Sequence, residues 1–184
     1  MKIKVESGYF LSSEKTLCFL FAMELYKKIG DSLVIDFENQ CYGSLQGSSK
    51  YLDLLVYTNQ NYKVAIEFKL PKKSNNGSSN QAKTREAIYR DIARLYWLKN
   101  NSINAKSSYF LMATNEDAYL NNSGIIKNKS FLTKQNHIIN SNNNLIATGL
   151  SLSGVSCNFQ WLGVTKNNKY QKIRLYAWLK PIKV

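Results

Sequence analysis

Histidine is nearly absent: His137 is the only one in 184 residues. A zinc site built on two or three imidazoles is therefore excluded. A Ser-His-Asp or Cys-His apparatus would have to rest on that one residue, which reads as a loop residue rather than a ligand. Cysteine is scarce as well. Cys18, Cys41 and Cys157 are odd in number and widely spaced, which argues against a disulfide framework or a zinc knuckle and for a reducing compartment. The longest apolar run, Leu17 to Met23, is too short to span a bilayer. Glu6 and Glu14 precede it, Glu24 follows, and no small-residue cleavage site is present, so it does not read as a signal peptide. The expectation is a soluble, cytoplasmic protein with no membrane segment.

Negative charge is the last shortage. Twelve Asp and Glu face 25 Lys and Arg, for a net charge of +13. Residues 1–70 hold eight of each sign, and residues 71–184 hold seventeen bases and four acids. Beyond Asp117 no carboxylate occurs, while nine Lys and Arg follow. Such an excess suits nucleic acid first, an acidic protein second and an anionic membrane surface third. At 44% hydrophobic and 12% aromatic the chain is not disordered by composition, and its length suits one domain over residues 1–184.

Ser12-Ser13-Glu14 ahead of an apolar run is a helix start, and Lys27-Lys28 before Gly30 is its stop, so a first helix is expected at about 13–29. It is apolar on nearly every side from Leu17 to Leu25 and is expected to be buried. Extended segments are expected at about 33–38, 51–57 and 63–70, the last ended by Pro71, which cannot donate to a ladder. A polar, basic loop over 72–80 leads to a second helix at about 81–99, with Ile88, Ile92 and Leu95 at helical spacing and Glu86 with Arg90 as an i,i+4 pair. A fourth strand is expected over 108–113, and 145–152, 155–164 and 170–179 read as extended.

The chemistry concentrates in the second and third extended segments. Ala65, Glu67 and Lys69 share one face of the third, against Val64, Ile66, Phe68 and Leu70 on the other. Two charges on one face of an apolar strand are not what core packing asks for. A hairpin closed so that Tyr57 faces Lys63 sets Asp53 opposite Glu67, with Cβ atoms about 5 Å apart. Two carboxylates so close repel unless a cation lies between them. Mg²⁺, with Mn²⁺ as substitute, suits such hard oxygen ligands and typically takes one or two carboxylates while keeping several waters. Lys69 on the same face would orient or deprotonate a water, or stabilise charge on a phosphate. Asp36 is a weaker reserve ligand. Glu-x-Lys alone carries no weight, since chance supplies about one such string in a chain of this composition. Its weight lies in its strand and in the Asp upstream.

Helix, strand, strand with an early Asp, strand with Glu-x-Lys, helix, strand: this order, with Asp53, Glu67 and Lys69, resembles the PD-(D/E)xK nuclease superfamily over about residues 12–115. Leu52 stands where the name-giving proline would be. The resemblance implies an α/β, restriction-endonuclease-like fold: a mixed central sheet flanked by helices (an αβββαβ core), here with a basic β-rich extension over about 116–184. It implies Mg²⁺-dependent phosphodiester hydrolysis, of DNA in preference to RNA. Asp53 and Glu67 would hold the metal, helped by the Phe68 carbonyl. Glu24 matches the first-helix Glu of many members and would be a further ligand. Gln81 and Arg85 open the second helix, where several branches carry a substrate- or site-orienting group, and a helix N-terminus also suits a phosphate. Lys72, Lys73 and Lys83 would form a phosphate-facing rim. Many relatives cut as homodimers. Two other readings stand beside this one: a non-catalytic basic nucleic-acid-binding protein, and a nuclease toxin domain held by an acidic immunity protein.

Overall fold

The computed structural model describes residues 11–45, 50–58, 62–73, 80–101, 105–121, 130–162 and 177–184. Helix α1 spans Glu14–Ile29. The Ser13 side chain accepts from the Thr16 N–H at 3.1 Å, and Glu14 lies in the first turn, where the positive end of the helix dipole favours an acid. Gly30, at φ 79°, closes the helix by donating its N–H to the Tyr26 carbonyl. The expected burial on all sides does not occur. Leu17, Cys18 and Ala22 are buried, while Phe19, Met23, Tyr26 and Ile29 are exposed. Only one face of the helix meets the sheet, where Phe21 packs edge-on against Phe68.

Strands β1 (Leu33–Asn39), β2 (Leu52–Thr58) and β3 (Lys63–Lys69) form an antiparallel meander, and β4 (Ser107–Thr114) lies parallel to β3. A parallel neighbour needs a long crossover, and helix α2 (Gln81–Asn101) supplies it. The β2–β3 register pairs Tyr57 with Lys63, as the hairpin reading expects. The result is a mixed sheet between two helices. Leu17, Ala22, Leu54, Ile66 and Phe68 fill the α1 side, and Leu55, Ala65, Ile88, Ile92 and Leu95 fill the α2 side. No helix among the described residues is long and apolar enough to cross a membrane.

The C-terminal third joins this sheet rather than standing apart from it. After a short helix α3 (Ala118–Asn121) come β5 (His137–Ile139), β6 (Ile146–Ala147), β7 (Leu150–Ser151), β8 (Cys157–Phe159), β9 (Trp161–Leu162), β10 (Ala177–Leu179) and β11 (Ile182–Lys183). Both β10 and β11 pair antiparallel with β4, and their registers differ by one residue around Pro181, as a bulge requires. β9 extends the sheet beyond β10. β5 to β8 lie against the outer side of α2, where Tyr89 meets the rings of Phe131 and Phe159. His137, expected in a loop, pairs with Phe159 in β5–β8, and burial lowers its pKa. Residues 163–176, part of the expected extended tail, lie outside the described residues.

Candidate functional site

The sheet forks where the acids stand. β2 stays on β1 as far as Asn39↔Leu52, and β3 stays on β4 as far as Lys69↔Met112. Between them, the β2–β3 ladder ends at Leu54↔Ile66. The next residues in that register are Asp53 and Glu67. Asp53 Oδ2 accepts the Phe68 N–H at 2.8 Å, so a side chain takes over where the ladder stops. On the other side of β2, Asp53 falls opposite Glu38, whose φ of 53° takes it out of extended backbone. That left-handed conformation costs a non-glycine residue about 1 kcal/mol or more.

Lys69 is the hub of the fork. Its Nζ lies 2.7 Å from Asp91 Oδ2, 3.1 Å from Glu14 Oε1 and 3.0 Å from the Phe68 carbonyl. Burial alone would lower its pKa, but Asp91, Glu14 and Glu67 outweigh burial and raise it above the usual lysine range. Lys69 is therefore a fixed cation at neutral pH. In that state it is suited to orienting a water or stabilising negative charge.

Glu67 is 2% exposed. Its Oε1 lies 3.5 Å from Arg94 Nη2 and has no hydrogen-bond partner of good geometry. Burial, then the carboxylates of Asp91 and Asp53, push its pKa well up, against the pull of Arg94 and Lys69. Asp91, 1% exposed, goes the other way: burial raises it, but Lys69, Arg90 and Arg94 prevail and hold it low. Arg94 lies 3.9 Å over the Tyr42 ring and donates to Asp91 Oδ1 and to the Tyr51 carbonyl. Glu14 accepts from Lys69 and from the Leu70 N–H, and burial, opposed by Lys69, raises its pKa.

The expected first-helix acid is thus replaced. Glu24 pairs with Lys27 at 3.1 Å and is not a partner of Lys69. Ten residues of helix separate it from Glu14, about 15 Å along the axis. Among the described residues no three His, Cys, Asp or Glu side chains converge as a metal-holding group, so the set Asp53, Glu67 and Glu24 does not assemble. What remains is the Asp53–Glu67 pair, in which Glu67 Oε1 has Arg94 at ion-pair distance but no hydrogen bond of good geometry. Four carboxylates (Glu14, Asp53, Glu67, Asp91) meet three cations (Lys69, Arg90, Arg94), which leaves one negative charge in surplus. Two hard carboxylates with one negative charge in surplus are the donor chemistry a divalent cation takes, although Glu67 is 2% exposed and its Oε1 faces Arg94. Asp36 stays apart on β1, accepting from Asn39 Nδ2. Cysteine chemistry is disfavoured: burial, with Asp53, Glu14, Glu67 and Glu38, pushes the Cys18 thiol up to about 12.

The candidate phosphate contacts divide. Lys72 donates to the Ser12 carbonyl, and Lys73 and Lys83 are exposed. Gln81 Nε2 bonds Glu116 Oε2 at 3.3 Å. Arg85 is not available to a phosphate: it is 3% exposed, donates to the Ala118 carbonyl at 2.6 Å and lies over the Tyr119 ring. Arg90 pairs with Asp91 in place of Glu86, whose carboxylate meets the Thr148 hydroxyl. Sequence reasoning passed over Glu14, Asp91 and Arg94. A signal for the last two exists, since an acid and a base three apart interrupt the core run from Ile88 to Leu98. Comparison of the chain with protein-family models, with curated proteins and with solved structures returns no match.

Proposed function

We propose that this chain is a Mg²⁺-dependent nuclease of the PD-(D/E)xK type, hydrolysing phosphodiester bonds of nucleic acid, with DNA preferred to RNA. The observation that carries the reading is the fork itself: Asp53 and Glu67 are the next residues past the end of the β2–β3 ladder, near enough that the Asp53 carboxylate raises the pKa of Glu67, and Lys69 follows two residues on. The αβββαβ order of the described elements from Glu14 to Thr114 and the mixed sheet between two helices support it.

Asp53 and Glu67 would hold the divalent ion, which when bound supplies Lewis-acid stabilisation and a water of lowered pKa. Lys69, held cationic by Asp91 and Glu14, offsets the charge that builds on the phosphoryl oxygens. Glu14, partly exposed and tied to the Leu70 N–H, fixes the mouth of the site and is the carboxylate with access to an incoming water. Lys73 and Lys83 contact phosphates flanking the scissile one, and the net +13 draws the polyanion in.

One observation favours a second reading. Glu67 is nearly inaccessible and already faces Arg94, as in a structural ion-pair network under a non-catalytic nucleic-acid-binding surface. Incubation with supercoiled plasmid, single-stranded DNA and RNA, in Mg²⁺, Mn²⁺ or EDTA, separates the two. Metal-dependent cleavage by wild type that is lost in Lys69→Ala supports the nuclease. Salt-sensitive binding that ignores EDTA and survives Asp53→Ala, without cleavage, supports the binding protein.

A further inference from the structure

We infer that Asp91 and Arg94, one turn apart on α2, are positioning residues: together they brace the two arms of the forked sheet and set Lys69 and Glu67 in place. The inference rests on the nuclease reading for its functional meaning and on geometry for its content. Asp91 spends both oxygens, Oδ2 on Lys69 Nζ at 2.7 Å and Oδ1 on Arg94 Nη1 at 3.3 Å. Arg94 then reaches both arms with one nitrogen. Its Nη2 lies 2.6 Å from the Tyr51 carbonyl, two residues before Asp53 on the β2 side, and 3.5 Å from Glu67 on the β3 side.

No β2–β3 ladder is formed at this level, so the two arms are joined by the Asp53–Phe68 N–H bond and by a guanidinium that reaches both of them. The Tyr42 ring backs that guanidinium at 3.9 Å, and a planar, rigid fork fixes the direction of each of its contacts, which an ammonium on a flexible stem does not. A buried ion pair of this kind contributes little net stability compared with apolar packing, so its presence calls for a role in specifying geometry. Asp91 and Arg94 are almost wholly buried, and they reach the partly exposed Lys69 and Arg90 and the backbone of the exposed Tyr51. They act through Lys69 and Glu67 and not on substrate.

The test uses Asp91→Asn, Asp91→Glu and Arg94→Lys in the full chain. Partners one layer out from a metal site typically alter affinity or activity by about 10–100-fold. For Asp91→Asn the expectation is a kcat on duplex DNA lowered by about that factor, with KM and Mn²⁺ affinity unchanged within twofold and partial recovery in Asp91→Glu. For Arg94→Lys it is Mn²⁺ affinity lowered by about tenfold or more. In the metal-free protein the same variant should exchange the Phe68 amide at least tenfold faster, with the Ala65 and Ile66 amides unchanged. A purely structural role would lower melting temperature and speed exchange across the sheet, without dividing kcat from metal affinity. Wild-type kcat per folded molecule in Asp91→Asn overturns the Lys69 half of the inference. Wild-type Mn²⁺ affinity with an unchanged Phe68 amide in Arg94→Lys overturns the Glu67 half, and this arm does not depend on Asp91→Asn folding. Cutting by wild type with both variants unaffected refutes the positioning alone, whereas a wild-type protein that neither binds Mn²⁺ nor cuts refutes the nuclease reading with it.

Discussion

Replacing Glu67 by glutamine should make the metal-free protein more stable at pH 8. Glutamine keeps the shape and removes one charge from a cluster with one carboxylate too many. The side chain is 2% exposed, and its Oε1 has no hydrogen-bond partner of good geometry. An unsatisfied buried polar group costs about 1–3 kcal/mol, more when charged. Against this, the amide gives up the attraction of Arg94, which keeps its bonds to Asp91 and the Tyr51 carbonyl. With that attraction subtracted, and with the amide still buried, a net gain of about 1 kcal/mol is expected, or about 2–4 °C in Tm for a chain of this size. The sign with pH is fixed. The folded pKa of Glu67 lies above its unfolded value, so its contribution is fully present below the ordinary glutamate pKa and is lost as pH rises through the folded value. Wild type should therefore match the variant near pH 4 and fall behind it at pH 8. Urea unfolding of both proteins in EDTA at the two pH values measures the difference. A variant less stable than wild type at pH 8 by 1 kcal/mol or more would mean that the Arg94 pair outweighs the surplus charge, and the accounting would be wrong.

Four further outcomes are expected. Glu14→Gln should lower cleavage by about 10–100-fold while Glu24→Gln leaves it unchanged, read as initial rates on plasmid; equal effects would return the first-helix role to Glu24. Ser13→Ala should cost about 1 kcal/mol by loss of the α1 cap, seen as a Tm drop of about 2–4 °C without change in substrate KM. Lys73→Ala and Lys83→Ala should each flatten the salt dependence of DNA binding by about one unit of slope, whereas Arg85→Ala should lower stability and leave the slope alone. Mn²⁺ affinity should rise in the presence of a duplex with a non-hydrolysable linkage, measured by calorimetry, and equal affinities would argue against a shared site.

The parts of this molecule that were legible in its sequence are those set by local rules. Ser13 and Gly30 mark the ends of α1 because capping needs only neighbouring backbone. The alternation of Glu67 and Lys69 with Ile66 and Phe68 gives the strand faces, and a five-residue turn with Tyr57 opposite Lys63 gives the register. What could not be read depends on docking. Glu14 and Glu24 are equivalent as helix residues, and only the way α1 lies on the sheet decides which end meets Lys69. The apolar circumference of α1 suggests full burial, but only one face reaches the sheet. Arg85 looks solvated at a helix start until Ala118 and Tyr119 close over it. The last strands, β10 and β11, pair with β4 across a long stretch of chain, a non-local choice that periodicity in short segments does not encode.

The cluster's charge explains why a protein would keep so costly an arrangement. With every group ionised, the four carboxylates and three cations sum to one negative charge. A proton on Glu67 would remove that surplus, and burial with Asp91 and Asp53 displaces its pKa in that direction. Loading a divalent cation expels the proton, as metal binding to acidic ligands does, and leaves the site with one positive charge. One phosphodiester neutralises it. On the nuclease proposal, the protein alone, with metal, and with metal and substrate would pass from a protonated neutral site to a cationic one and back to neutrality, with only the last combining full ionisation and charge balance. A cluster of four acids and four cations would be neutral without ligands and would gain nothing from either. Asp91 fits this logic because its low pKa keeps Lys69 charged throughout. The surplus therefore belongs to Glu67, the carboxylate that a metal would need.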